Sequence, residues 1–157
     1  MLVRYQHAGQ EHELQGSYAV IATPAPVTRE IISGLPPDTD AALGEVHYGS
    51  YVVGAFRTDE RNTMPYDTIY AMATPGQSFN MFFNTANVLR PRSPRLAGGT
   101  LMVYSGADLA QRLSEHDDDE IGRIYRREIE KIFPDLRGQI GQTHIHRWAQ
   151  GLSLIHI

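Results

Sequence analysis

Tyr18-Ala19-Val20-Ile21-Ala22-Thr23-Pro24-Ala25-Pro26 is the stretch on which the reading of this chain turns. Val20-Ile21-Ala22 is apolar on both faces of an extended backbone, the pattern of a strand buried between layers. Thr23-Pro24 stops it, because proline has no N–H for a ladder and holds the residue before it extended. Pro26, in a first helical turn, then opens a short helix through Val27-Thr28-Arg29-Glu30-Ile31-Ile32. A buried strand that ends in small residues and runs into a helix is where open α/β sheets place a ligand. Any buried strand with a proline stop has the same pattern, so the residues alone leave both readings open.

The bulk numbers narrow the setting. A chain of 157 residues is long enough for one domain with a real core and too short for two full ones. Hydrophobic residues make up 41% and charged residues 20%, which argues against wholesale disorder. A net charge of −4 leaves no electrostatic footprint for nucleic acid. Arg90-Pro91-Arg92 with Arg95 reads as a solvated loop, since no aromatic platform is interleaved with it. There is no cysteine, so disulfides, thiolate zinc sites and a cysteine nucleophile are excluded. Met1-Leu2-Val3-Arg4 leads straight into polar sequence, with no signal-peptide pattern. No apolar run approaches the roughly 20 residues of a membrane helix, so a soluble, cytoplasmic protein without a transmembrane segment is expected.

Outward from the proline corner, Leu2–His7 and His12–Gln15 alternate like the strands of a hairpin turned at Ala8-Gly9-Gln10-Glu11. Asp38 or Thr39 caps a second short helix through Ala41, Ala42, Leu43 and Val46. Tyr48–Phe56 has period two with apolar residues on both sides, the signature of a strand covered on both faces. Further strands are expected at Ile69–Ala73, Gln77–Asn84 and Gly99–Ser105, separated by polar loops and the Pro75-Gly76 turn. Asp108–Leu113 forms a short helix. Asp117 or Asp118 caps a longer one, with Ile121, Ile124, Tyr125, Ile129, Ile132 and Phe133 inward and Arg123, Arg126, Arg127 and Glu130 outward. Pro134 ends it, and Ile140–Trp148 returns as a strand. The fold class is α+β, a mostly antiparallel sheet with flanking helices.

Few residues announce chemistry. Asp117-Asp118-Asp119-Glu120 lies at a helix start, where carboxylates satisfy free N–H groups, and lacks the glycine and distal glutamate of a calcium loop. His144 and His146 share a strand face but have no third ligand at sensible spacing, so no metal is assigned; a metal hydrolase is the least favoured reading. No Gly-x-Ser-x-Gly occurs, and no residue is assigned a catalytic role. Fourteen glycines include no Gly-x-Gly-x-x-Gly, the motif that cradles a dinucleotide pyrophosphate.

The Ala22-Thr23-Pro24 corner resembles the Ala-Thr-Pro segment of flavin-dependent amine oxidases and of the protoporphyrinogen-oxidase-like and phytoene-desaturase-like enzymes. More weakly, the resemblance extends from about Leu2 to Leu152. His146-Arg147-Trp148-Ala149-Gln150-Gly151-Leu152 is similar to the Arg-Trp, small residue, Gly-Leu-Pro strand by which those enzymes return to the flavin. Ser153 stands where their proline would be.

The resemblance implies a fragment of an FAD-dependent oxidoreductase. Residues 1–26 are then a remnant of the FAD-binding domain, 27–147 the substrate domain, and 148–151 the return to the FAD domain. Residues 152–157 read as a non-native tail encoded by a sequencing adapter, and Met1 as an internal methionine. Ala22, Thr23, Pro24 and Trp148 are the implied cofactor-binding residues. The partners are a small-molecule substrate and the missing FAD-binding domain of the same polypeptide, without which the fragment is inactive.

A flavin enzyme needs an apolar, aromatic-lined substrate cavity. Tyr48, Tyr51, Tyr70, Phe79 and Met81 are the candidate substrate-binding residues, with Phe56, Met72, Phe83 and Tyr104 able to contribute; each could equally be core. The resemblance implies a small or hydrophobic substrate, an amine or a compound oxidised at a CH–CH bond. Lys131, the only lysine, lies near a helix end, which speaks against the amine-oxidising subtype that holds a flavin-side water with lysine. The alternative is a stand-alone α+β domain that binds a hydrophobic small molecule without catalysis.

Overall fold

The structure, a computed structural model, describes residues 1–91 and 94–154. It comprises two compact units, Met1–Val46 and His47–Ile157. Arg92 and tail residues 155–157 lie outside the described residues.

The first unit opens with a hairpin of β1 (Leu2–His7) and β2 (Gln10–Gln15), paired antiparallel from Leu2 opposite Gln15 to His7 opposite Gln10. Ala8 and Gly9 both have positive φ, 50° and 78°, the two-residue turn whose twist matches the strands. Helices α1 (Ala25–Ile31) and α2 (Pro37–Gly44) follow, joined by the bidentate pair of Arg29 with Asp40, at 2.7 and 2.9 Å. The cap of α2 is Pro36 rather than Asp38 or Thr39, because Pro37 can occupy the first turn without wasting an N–H.

One expectation fails here. Val20-Ile21-Ala22 forms no strand; the backbone between β2 and α1 is irregular, and Tyr18 and Val20 are each 93% exposed. A strand exists only with a ladder partner, and β1 and β2 spend their pairing on each other. The helix after Pro24 does form where the sequence places it.

The second unit is a five-stranded antiparallel sheet of β3 (His47–Thr58), β4 (Ala71–Ala73), β5 (Met81–Asn84), β6 (Gly99–Gly106) and β7 (Ile140–Leu154), in the order β4-β5-β6-β3-β7. Helices α3 (Asp108–Leu113) and α4 (Asp118–Ile132) connect β6 to β7. The core lies between one sheet face and α4: Val52, Phe56, Leu101 and Val103 pack with Ile121, Tyr125 and Ile129. Gly54 and Gly122 permit the close approach. A methyl on Gly54 would meet the Tyr125 ring at 2.7 Å, and one on Gly122 would meet Thr143 at 3.1 Å.

Asp117 caps α4 by accepting from the Glu120 N–H at 2.7 Å, so the acidic run does terminal work. Asp117→Ala is expected to cost about 1 kcal/mol, read as a lower urea midpoint with unchanged slope.

The loops flanking β3 and β6 are tied by buried ions. Glu60, Asp67, Arg90 and Arg95 have side chains 0, 8, 5 and 13% exposed. Arg90 reaches Glu60 at 2.9 Å, and Arg95 meets Asp67 at 2.7 and 3.0 Å. The solvated loop expected for these arginines is therefore corrected for Arg90 and Arg95. Their acids lie about thirty positions upstream, a separation at which local reading is blind. Burial pushes the Asp67 carboxyl up, but Arg95, the Met64 N–H and Arg90 outweigh it and hold Asp67 below its ordinary value. A lowered folded value gives stability that is complete above the ordinary aspartate range and is lost as pH falls from there through the lower folded value. Asp67→Asn should accordingly flatten the acid limb of the stability curve, measured by urea unfolding at stepped pH.

Candidate functional site

The second face of the sheet is not covered by any described element of its unit. Side chains alternate across the ladder, so the register assigns this face. Val53 lies opposite Tyr104 and His146, Ala55 opposite Met102 and His144, and Tyr51 opposite Trp148. Tyr104 and Met102 continue to Met81 and Phe83 on β5, and Phe83 to Ala71 on β4. The strand β3, expected to be covered on both faces, is buried on one only: Val52, Gly54 and Phe56 are buried, whereas Tyr51 and Val53 are half-buried and Ala55 is exposed. Within the second unit, α3 and α4 supply a layer for one side alone.

The face is apolar and aromatic. Tyr51 and Tyr104 have ring centroids 5.1 Å apart. Burial, and then the neighbouring Tyr104, holds the Tyr51 phenol well above its ordinary value. Phe83 stacks on Tyr104 at 5.1 Å. On the edge strand, His146 and Trp148 meet at 4.0 Å. Beneath this face, Tyr125 and Ser105 hydroxyls lie 2.6 Å apart, and Ser105 donates to the Ser78 carbonyl. Glu128 accepts from the Ser78 N–H and hydroxyl at 2.7 and 2.9 Å. That polar chain fastens the loop entering β5 to α4.

The candidate substrate residues separate. Tyr51 and Met81 stand on the open face. Tyr70, 60% exposed, precedes β4 with its ring 5.9 Å from Phe83. Tyr48 is half-buried at the start of β3. Phe79 is fully buried against Tyr125, with centroids 5.7 Å apart, on the α4 side. Phe56 and Met72 also pack with the core. Sequence reading underweighted Met102 and Trp148 as members of one surface; pairing register, which it could not supply, joins them. Ala22, Thr23 and Pro24 belong to the first unit, where the Thr23 and Thr28 hydroxyls meet at 2.8 Å; Trp148 belongs to the second. Lys131 is exposed in the last turn of α4. Among the described residues no three metal-ligating side chains cluster, and His144 and His146 are exposed.

These features bear on a flavin in two ways. A pyrophosphate cradle does not fit the chain: the glycine motif is absent, and α1 starts at Pro24-Ala25-Pro26, which subtracts N–H donors where an anion would need them. An apolar wall does fit, on the open face.

The chain belongs to the family of flavin-containing amine oxidoreductases, whose model matches residues 3–154. Its α+β fold, with antiparallel sheets and few helices, resembles part of three larger solved structures. A protein described as a protoporphyrinogen oxidase from Exiguobacterium is 14% identical with a TM-score of 0.66, covering 96% of this chain. Cyclohexylamine oxidase from Brevibacterium oxydans is 15% identical, TM-score 0.69, over 95% of this chain. Reduced UDP-galactopyranose mutase is 10% identical, TM-score 0.69, over 95%. This chain spans 32% of each of those proteins. No curated protein matches it in sequence. Among the described residues no helix is long and apolar enough to cross a membrane.

Proposed function

We propose that this chain is the substrate-facing portion of an FAD-dependent oxidoreductase, with the open sheet face forming one wall of the reaction cavity. The observation that carries the reading is that face: half-buried aromatic and methionine side chains on a sheet whose opposite face packs its centre against α4. Exposed apolar area of this kind marks a surface that meets something. When bound, the flavin supplies the redox chemistry, taking a hydride or its equivalent from an amine or a CH–CH substrate. Tyr51, Met81, Phe83, Met102 and Tyr104 exclude water and orient the substrate, their apolar bodies offering no competing acid or base.

Ala22, Thr23, Pro24 and Trp148 are the proposed approaches to the cofactor. The FAD-binding domain of the same polypeptide would grip the pyrophosphate and cover Tyr18 and Val20, pairing residues 20–22 as the strand their composition suits. Alone, this chain holds a wall without a cradle and is expected to be inactive.

The test is to purify the whole polypeptide that contains this chain and record its absorption spectrum. A yellow, flavin-bearing protein is expected. A correctly folded, colourless one counts against the reading.

A further inference from the structure

Rings cross the open face without a break. From β4 to β7 the centroid separations are 5.9 Å for Tyr70–Phe83, 5.1 Å for Phe83–Tyr104 and 5.1 Å for Tyr104–Tyr51. They are 6.4 Å for Tyr51–Trp148 and 4.0 Å for Trp148–His146. Aromatic pairs of this spacing stabilise a sheet through packing. Three consecutive members share a further property: phenol and indole are the side chains of this row that most readily give up one electron. Phenylalanine does not, so Phe83 ends the redox-active run on one side. What remains is Tyr104–Tyr51–Trp148, with both phenols half-buried at the centre of the face and the indole 42% exposed on the edge strand.

A phenol loses its proton when it loses an electron, and the half-buried Tyr51 keeps part of its surface open to water for that proton. Gly151 fixes the last step, since a methyl there would collide with the stem of Tyr51 and crowd that of Trp148. It lies where β7 bulges, with register shifting between Gly49 and Tyr51.

We propose that Tyr104, Tyr51 and Trp148 form a relay that carries an oxidising equivalent between the centre of the open face and the exposed edge of the sheet. Set going from outside by a ruthenium(III) polypyridyl, each step balances. The ruthenium takes one electron from the Trp148 indole and becomes ruthenium(II), while the indole Nε1 proton goes to water. Tyr51 then gives one electron to the indolyl radical, which regains a proton from water. The phenolic proton of Tyr51 goes to water. In sum, one ruthenium is reduced, one phenol becomes a phenoxyl radical, and one proton reaches solvent. The relay does not depend on the flavin reading, because its oxidant is supplied by light and ruthenium.

Flash photolysis of this chain with a ruthenium(II) polypyridyl and a cobalt(III) electron acceptor tests it. Trp148 is the only tryptophan, so the indolyl signal has one source. The expected result is an indolyl radical that decays at a rate independent of protein concentration as a phenoxyl radical rises. Tyr51→Phe should abolish that conversion, and Gly151→Ala should slow it without removing any redox-active group. Tyr18→Phe, which alters a residue 93% exposed in the first unit, should leave it unchanged. Circular dichroism confirms that each variant is folded, and Gly151→Ala carries the test should Tyr51→Phe fail to fold. An indolyl radical that persists in the parent chain, or that converts equally fast in Tyr51→Phe, overturns the relay.

Discussion

Arg90→Ala is expected to destabilise the second unit by about 3–5 kcal/mol, the range for stripping one partner from a buried ion pair. The guanidinium lies 2.9 Å from Glu60 Oε1 and donates to the carbonyl oxygens of Gly98 at 3.0 Å and Leu96 at 3.2 Å. Its Nε stands 3.1 Å from Asp67 Oδ1. Without it, Arg95 alone faces two carboxylates, and Glu60 is fully buried. The loss should appear as a lower urea midpoint with an unchanged slope. A double variant, Glu60→Leu with Arg90→Met, removes both charges and should cost less than Arg90→Ala alone, because no unpaired charge stays behind. Equal costs would mean that packing, and not charge, carries the cluster.

Gly54→Val is the second large effect. Valine suits a central strand better than glycine by local preference, so propensity predicts a gain. Geometry predicts the reverse. The new Cβ would stand 2.7 Å from Tyr125 Cδ2 and 3.0 Å from Phe56. The Tyr125 ring cannot retreat, because its hydroxyl is held at 2.6 Å from Ser105 and its edge rests on Phe79. Overpacking of this kind costs about 1–3 kcal/mol, and here it should exceed the propensity gain. Gly54→Ala should show the same sign with a smaller loss. A stabilised Gly54→Val would show that α4 is free to shift away from the sheet.

How much of this was legible in the sequence varied with the range of the interactions. The hairpin, α1, α4 and the five strands of the large sheet follow from period and punctuation, which are local. Asp117 was readable as a cap because the residue it bonds is three positions away. Val20-Ile21-Ala22 has the composition of a strand and does not form one, because apolar composition announces a wish for burial without supplying a partner. The burial of Arg90 and Arg95 is invisible locally because their acids are distant in sequence. Of the candidate wall, Tyr51 and Met81 lie on the open face, whereas Phe79, two positions before Met81, sits on the other side. A loop precedes β5, and the period-two count does not survive it. Register is a pairing property, so the single surface that joins Met81 to Tyr104 and Trp148 to Tyr51 could be seen only in the folded sheet.

Methionine oxidation reads that surface directly. Met81 and Met102 stand on the open face, while Met72 packs with the core. In the whole polypeptide, peroxide should convert Met81 and Met102 to sulfoxides slowly when flavin is bound and much faster once it is stripped, with Met72 unchanged, as resolved by peptide mass spectrometry. Equal oxidation of Met81 and Met102 with and without flavin would contradict the assignment of this face to the reaction cavity.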